Sequence, residues 1–298
     1  FSWIVDTVSP TPSGNITNST TSSSQWAKTD DQITVFVSSD SDTASVSITL
    51  ASTGGTITTG SATESSGSWS IVHTMLSTDP EGTLSASFTA TDQAGNTGSG
   101  SASSSIVFDK TKPTGAITYS TDGPYKQNAN PTITATFTES LTTTPKIAIS
   151  GVSTITATDM TGSGTTWTYA YTAPAGDGTE TISLSTGTDA AGNVVTATPT
   201  SGGTFTVDNT SPTGAITYST PGPYKENDTA TITATFTESL TTTPKIAISG
   251  VSTITATDMT GSGTTWTYAY TAPAGNGTET ISLSVGTDAA GNVITSKP

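Results

Sequence analysis

Thr132-Ile-Thr-Ala-Thr-Phe-Thr-Glu-Ser-Leu141 alternates apolar and hydroxyl-bearing residues. In an extended chain Ile133, Ala135 and Phe137 share one face and Thr132, Thr134 and Thr136 the other, which is the signature of a half-buried β-strand. The same ten residues return at 231–240. Period two continues elsewhere: Trp167, Tyr169 and Tyr171 alternate with Thr168 and Ala170, Ile182 and Leu184 with Ser183, and Phe205 and Val207 with Thr206. Trp69, Ile71 and His73 form a divergent counterpart of the aromatic strand. No stretch of ten residues shows helical period, so the chain is expected to contain essentially no helix.

The recurrence extends far beyond one strand. Residues 113–196 match residues 212–295 at 84 positions with eight differences. These are Asp122/Pro221, Gln127/Glu226, Ala129/Asp228, Asn130/Thr229, Pro131/Ala230, Asp177/Asn276, Thr186/Val285 and Val195/Ile294. Residues 10–109 are a third, divergent copy carrying the same two landmarks. One is an apolar strand ending in Asp with Pro four residues later: Asp6/Pro10, Asp109/Pro113, Asp208/Pro212. The other is Asp-x-Ala-Gly-Asn at 92–96, 189–193 and 288–292. About seven short strands per ~100-residue unit predict an all-β chain of three tandem immunoglobulin-like sandwiches. The expected units are residues 9–109, 110–208 and 209–298, preceded by a separate segment, 1–8.

Composition excludes several functions. Of 298 residues, 72 are Thr and 43 are Ser, which suits hydroxyl-covered sheet faces rather than disorder. The formal charge is −15 with only eight Lys and no Arg, so a basic nucleic-acid footprint is missing. Without Cys there is no disulfide framework and no thiolate metal site. No apolar run is long enough to insert in a bilayer as a helix. His73 is the only histidine and falls where the other copies place Tyr171 and Tyr270, so it reads as a strand residue rather than a catalytic base. With no phosphate loop and no paired catalytic carboxylates, the chain is not expected to be an enzyme.

Thr-Phe-Thr-Glu-Ser-Leu (136–141, 235–240), Trp-Thr-Tyr, Asp-Ala-Ala-Gly-Asn and Phe-Thr-Val-Asp-x-Thr-x-Pro together resemble the bacterial and archaeal immunoglobulin-like repeats of large cell-surface proteins. The resemblance covers the last two units almost wholly and the first more weakly. It implies an extracellular, cell-surface role as a stalk, adhesin, filament or S-layer module.

The ends of the repeat are out of phase. The first two units finish with Ile106-Val-Phe-Asp109 and Phe205-Thr-Val-Asp208, but the third reaches Pro298, the counterpart of Pro199, without a last strand. Phe1-Ser-Trp-Ile-Val-Asp6 is surplus at the other end, and aligned on Asp6 its Trp3 and Val5 fall on Phe205 and Val207. The expectation is donor-strand complementation, in which Phe1, Trp3, Ile4 and Val5 of one subunit fill the groove of the next to give a head-to-tail, pilus-like homopolymer. The alternative is a rigid stalk segment excerpted from a giant adhesin or S-layer protein.

Further candidates are oxygen-rich. Asp6, Asp92, Asp109, Asp189, Asp208, Asp288, Glu139 and Glu238 are candidate calcium ligands at the unit junctions, where the resemblance implies that calcium stiffens a rod; Asx turns formed by Asp92, Asp189 and Asp288 are the plainer reading. Sequons at Asn15, Asn18, Asn209, Asn227 and Asn276 would make the chain a glycoprotein. Lys146 and Lys245 with Asn193 and Asn292 are candidates for isopeptide staples. Tyr119, Tyr125, Tyr218 and Tyr224 would form the platform of a carbohydrate-binding module, or pack at the junctions.

Overall fold

The computed structural model describes residues 3–21 and 25–295. The described residues form strands and turns without helix, as the period-two pattern requires. The first module contains β1 (Ser13–Asn18), β2 (Trp26–Ala27), β3 (Gln32–Ser38), β4 (Thr43–Ser52), β5 (Gly55–Ser61), β6 (Thr63–Ser65), β7 (Ser68–Thr74), β8 (Gly82–Asp92) and β9 (Thr97–Phe108). They build one sheet in the order β1-β3-β7-β6 and another in the order β2-β9-β8-β4-β5. All pairs are antiparallel except the short parallel contact of β2 with the end of β9.

The second module contains β10 (Gly115–Tyr119), β11 (Thr132–Leu141), β12 (Lys146–Ser150), β13 (Thr154–Asp159), β14 (Thr161–Ala170), β15 (Gly178–Ser185) and β16 (Thr204–Val207). Its sheets run β10-β11-β14 and β13-β12-β15-β16. The third contains β17 (Gly214–Tyr218), β18 (Thr229–Leu240), β19 (Lys245–Ser249), β20 (Thr253–Asp258), β21 (Thr260–Thr271) and β22 (Thr280–Ser284), in the orders β17-β18-β21 and β20-β19-β22. The chain is therefore a tandem row of three immunoglobulin-like β-sandwiches.

Alternation sets each core. Ile133, Ala135, Phe137 and Leu141 point inward from β11 and meet Ile147, Ile149, Ile182 and Leu184 of the facing sheet, while the threonines between them stay outside. Gly14 of the first module lies so close to β3 that a Cβ there would stand 2.4 Å from the Phe36 carbonyl oxygen, and Gly98 would place one 1.7 Å from that of Pro10. The Gly98 approach presses the segment leading into the first module onto β9.

The third module lacks the counterpart of β16 among the described residues, as its sequence predicts. The consequence spreads into β22. In the second module β15 starts at Gly178, where Gly178, Thr179, Glu180 and Thr181 pair with β16. In the third, Gly277 to Glu279 form no ladder and the strand starts only at Thr280. The segment from Trp3 to Asp6 likewise forms no ladder within its own chain, and Trp3, Ile4 and Val5 are 92 %, 94 % and 81 % exposed. Phe1 lies outside the described residues.

Candidate functional site: the module joints and the open edge

An asparagine clamps each joint. Asp189 opens the loop before Val194; its Oδ1 accepts N–H bonds from Gly192 (2.8 Å) and Asn193 (2.9 Å), and Gly192 takes φ +91° to close the turn. Asn193 Nδ2 then donates to Asp189 Oδ2 (3.0 Å) and to the main-chain oxygen of Asp109 (3.0 Å), the residue that ends the previous module. Asn292 bonds Asp288 and the Asp208 carbonyl in the same way, both at 3.0 Å. Asn96 does so with Asp92 (2.8 Å) and the Asp6 carbonyl (3.2 Å). The strand-ending Asp also makes the same turn each time, its Oδ1 accepting the N–H two residues on: Val8 (2.9 Å), Thr111 (2.9 Å) and Thr210 (3.0 Å).

A lysine closes the other side. Lys126 of the second module donates Nζ–H to the Gly291 carbonyl (3.0 Å) across the joint. Lys28 of the first module lies over Gly192, where an added Cβ would sit 3.5 Å from Lys28 Cε. Lys225 holds the matching place in the third module and is exposed.

The joints also gather the candidate metal ligands into three triads: Asp6/Asp42/Asp92, Asp109/Glu139/Asp189 and Asp208/Glu238/Asp288, each with carboxylate oxygens within 4.8 Å of one another. Asp42 is the member that sequence reading missed. The first module has no Glu-Ser-Leu motif, and only folding brings Asp42 to the position of Glu139 and Glu238. Burial first, then the charges of Asp109 and Asp189, push the Glu139 carboxyl above its usual range. Burial and then Asp208 and Asp288 do the same to Glu238. Three hard oxygen donors in mutual repulsion are a donor set that fits a divalent cation such as calcium, with water and main-chain oxygens making up the rest of the shell.

A second carboxylate fastens each linker to the module it leaves. Glu81 Oε1 accepts from Lys110 N–H (2.8 Å) and Thr111 Oγ1–H (2.9 Å). Asp177 takes Asn209 N–H on Oδ1 (2.5 Å) and Thr210 Oγ1–H on Oδ2 (2.9 Å). The backbone bond from Lys110 foremost keeps Glu81 below the ordinary carboxylate range, and that from Asn209 does so for Asp177.

The open edge is an aromatic slot. In the second module Phe205 of β16 stands edge-on to Tyr119, Tyr125 and Tyr171, with ring centroids 5.4, 5.7 and 5.0 Å away, and Val207 is fully buried. Tyr171 Oη bonds Ser153 Oγ (2.9 Å) and Glu180 Oε1 (3.0 Å), and burial pushes its phenol up to about 12. In the third module the same walls enclose a groove of about 270 Å3 between Tyr218, Tyr224, Ile232, Tyr270, Glu279 and Ile281. Tyr218 there is 52 % exposed. The four tyrosines named as a carbohydrate platform are thus walls of a strand slot, filled in one module and open in the other.

The remaining candidates are sorted by burial. Asn18 is buried, and its Nδ2 donates to Asp31 Oδ2 (2.9 Å) and the Trp26 carbonyl (3.1 Å), so this sequon cannot carry a glycan in the folded chain. Asn209 spends its amide on the Pro174 and Gly176 carbonyls and on Gln127 N–H, tying the linker to the second module. Asn15, Asn227 and Asn276 are exposed. The isopeptide pairing is corrected: Lys146 reaches Asp159 (2.6 Å) and Lys245 reaches Asp258 (2.5 Å) across their own hairpins, while Asn193 and Asn292 are committed to the joints. His73 is a β7 residue whose Nε2 lies 2.7 Å from Asp79 Oδ2.

No protein-family model matches this chain, and no curated protein does. Solved structures do. A tetra-tandem repeat from the extending region of a large adhesion protein is similar at 17 % identity, covering 96 % of this chain and 73 % of its own, with TM-score 0.33. A structure from a 1.5-MDa bacterial ice-binding adhesin is similar at 18 % identity over 97 % of this chain and 96 % of its own, TM-score 0.40. Titin domains I67–I69 are similar at 10 % identity over 98 % and 96 %, TM-score 0.42. At these identities and scores the likeness is one of architecture alone.

Proposed function

We propose that this chain is a structural segment of an extracellular cell-surface stalk or filament, in which sandwich modules joined end to end hold a fixed spacing. Its role is mechanical rather than catalytic. Support comes from the joints: the same Asp–Asn clamp recurs three times, and near-identical modules extend a rod without adding a new recognition surface. The carboxylate triads at those joints are the places where a divalent cation stiffens the rod.

Among the described residues, no strand of the third module takes the place that β16 holds in the second. In the donor-strand reading Trp3, Ile4 and Val5 of the next copy enter its groove, and the chain polymerises head to tail. The observation carrying this reading is the contrast between the filled slot around Phe205 and the open one between Tyr224 and Tyr270. Burying Trp3 and Val5 contributes about 3–6 kcal/mol before ordering costs. In the stalk reading the closing strand is covalently continuous with the third module. Light scattering and electron microscopy on the full chain separate the two. Head-to-tail polymers that vanish on deletion of residues 1–6 or on Trp3→Asp support donation; polymers that survive both changes refute it.

A further inference from the structure

The third sandwich departs from the second at the positions that meet the end of a closing strand, and these departures match one segment of this same chain. The inference rests on the strand-completion reading above. In both internal joints the carboxylate cap uses two donors, the first backbone N–H after the strand-ending Asp and the hydroxyl of the next residue, Thr111 or Thr210. The segment after Asp6 has Val8 at that second place, with no hydroxyl to offer. The third module has Asn276 where Asp177 stands. An amide oxygen still accepts the backbone N–H, but the charge that would face the Val8 methyls without a partner is gone. Asp122 lies beside Asp177 in the hollow flanking β16, and it too is replaced, by Pro221. The third module therefore lacks the two carboxylates that flank the strand slot of the second, while its added acids, Glu226 and Asp228, stand on the neighbouring turn in the places of Gln127 and Ala129.

The incoming segment is also held ready. Asn96 fixes the Asp6 carbonyl on the first module as Asn292 fixes that of Asp208 on the third. A sandwich closing on Trp3 and Val5 then sits against the first module as the second module sits against the third. That placement brings Lys225 over Gly95, as Lys126 lies over Gly291.

We infer that the third sandwich is closed by residues 3–8 of a second copy of this chain, and that Asn276 and Pro221 select this segment over one ending like Phe205–Thr210. The joint between copies then keeps the asparagine clamp and the lysine of the joint within a copy, with a one-donor cap in place of the two-donor one.

The full-length Trp3→Asp variant, which cannot donate its own strand, is titrated with fluorescent peptides of residues 1–9 and 203–211 and followed by anisotropy. The 1–9 peptide is expected to bind about tenfold tighter or more. The combined changes Pro221→Asp and Asn276→Asp, both on exposed loops, should bring the two affinities to within about twofold. Equal binding of both peptides to the Trp3→Asp chain overturns the selectivity while leaving strand completion in place. Tighter binding of 203–211 overturns it in favour of a chain that continues with its own Phe-Thr-Val-Asp strand. Binding of neither peptide overturns strand completion and this inference together.

Discussion

Phe205 stands edge-on to Tyr171, ring centroids 5.0 Å apart at 78°, whereas Tyr270, the same residue one module later, meets only Tyr224 among the described rings, edge-on at 6.4 Å, and lines an open groove. One short strand makes the difference between a closed sandwich and a socket. Phe205→Ala is expected to cost the second module about 3–5 kcal/mol, because it removes the ring that three tyrosines pack upon. Calorimetry should show one of three module transitions moving down, and an unchanged scan would show that β16 does not close the core.

One amide clamps each joint on one side. Asn193→Ala removes the bond to the Asp109 carbonyl and leaves Asp189 Oδ2 without its amide donor. The expected cost is about 1–3 kcal/mol, shared between the joint and the Asp189 turn of the second module. Small-angle scattering should report a broader distribution of end-to-end distances at unchanged helix-free circular dichroism. An identical scattering curve would mean the clamp does not set the angle.

Glu139 titrates above its usual range because burial and two neighbouring aspartates disfavour its charge. A carboxyl whose folded value is raised binds its proton more tightly in the folded chain. Its contribution to stability is therefore greatest below the unfolded value and is lost as pH rises through the folded one. Glu139→Gln should accordingly stabilise the second module at neutral pH by about 0.5–1 kcal/mol and flatten its pH dependence between the unfolded and folded values. Equal slopes in wild type and variant would contradict this.

Calcium should act on the same repulsion. Adding CaCl2 is expected to raise the melting temperature of the chelator-treated full chain, and Glu139→Gln with Glu238→Gln should remove most of that rise. A melting temperature indifferent to calcium and to EDTA would leave the triads as protonation sites alone.

Gly98 tests how firmly the lead-in segment is seated. A Cβ at this position would stand 1.7 Å from the Pro10 carbonyl oxygen, a backbone atom with no room to move aside. Gly98→Ala should cost about 1–3 kcal/mol and weaken the hold of Asn96 on Asp6. Hydrogen exchange at the Val8, Ser9 and Thr11 amides would rise if so; unaltered protection there would show that the segment is anchored elsewhere.

Much of this architecture is legible one residue at a time. The alternation in Thr132–Leu141 assigns an inward face because successive side chains of a strand point to opposite sides, a property of the backbone that needs no partner. The three-fold return of Asp-x-Ala-Gly-Asn marks a turn for the same local reason, since Asp bonds its own backbone and Gly supplies positive φ. Tandem sandwiches and the lack of helix among the described residues follow from such signals together with the phase of the repeat. What the loop does could not be read locally. Asn193 and Asp109 are 84 residues apart, and Asp42 joins its triad from a strand connection with no motif of its own. Asn18 and Asn15 carry equivalent sequons, yet one is sealed against Asp31 and the other is exposed. Tyr119 and Tyr218 carry the same neighbours in sequence and differ in burial because one has Phe205 beside it. Sequence by itself determined which residues face inward, because that depends on local geometry. Only tertiary structure decided which of them are covered and which carboxylates meet, because that depends on the strand that arrives from elsewhere.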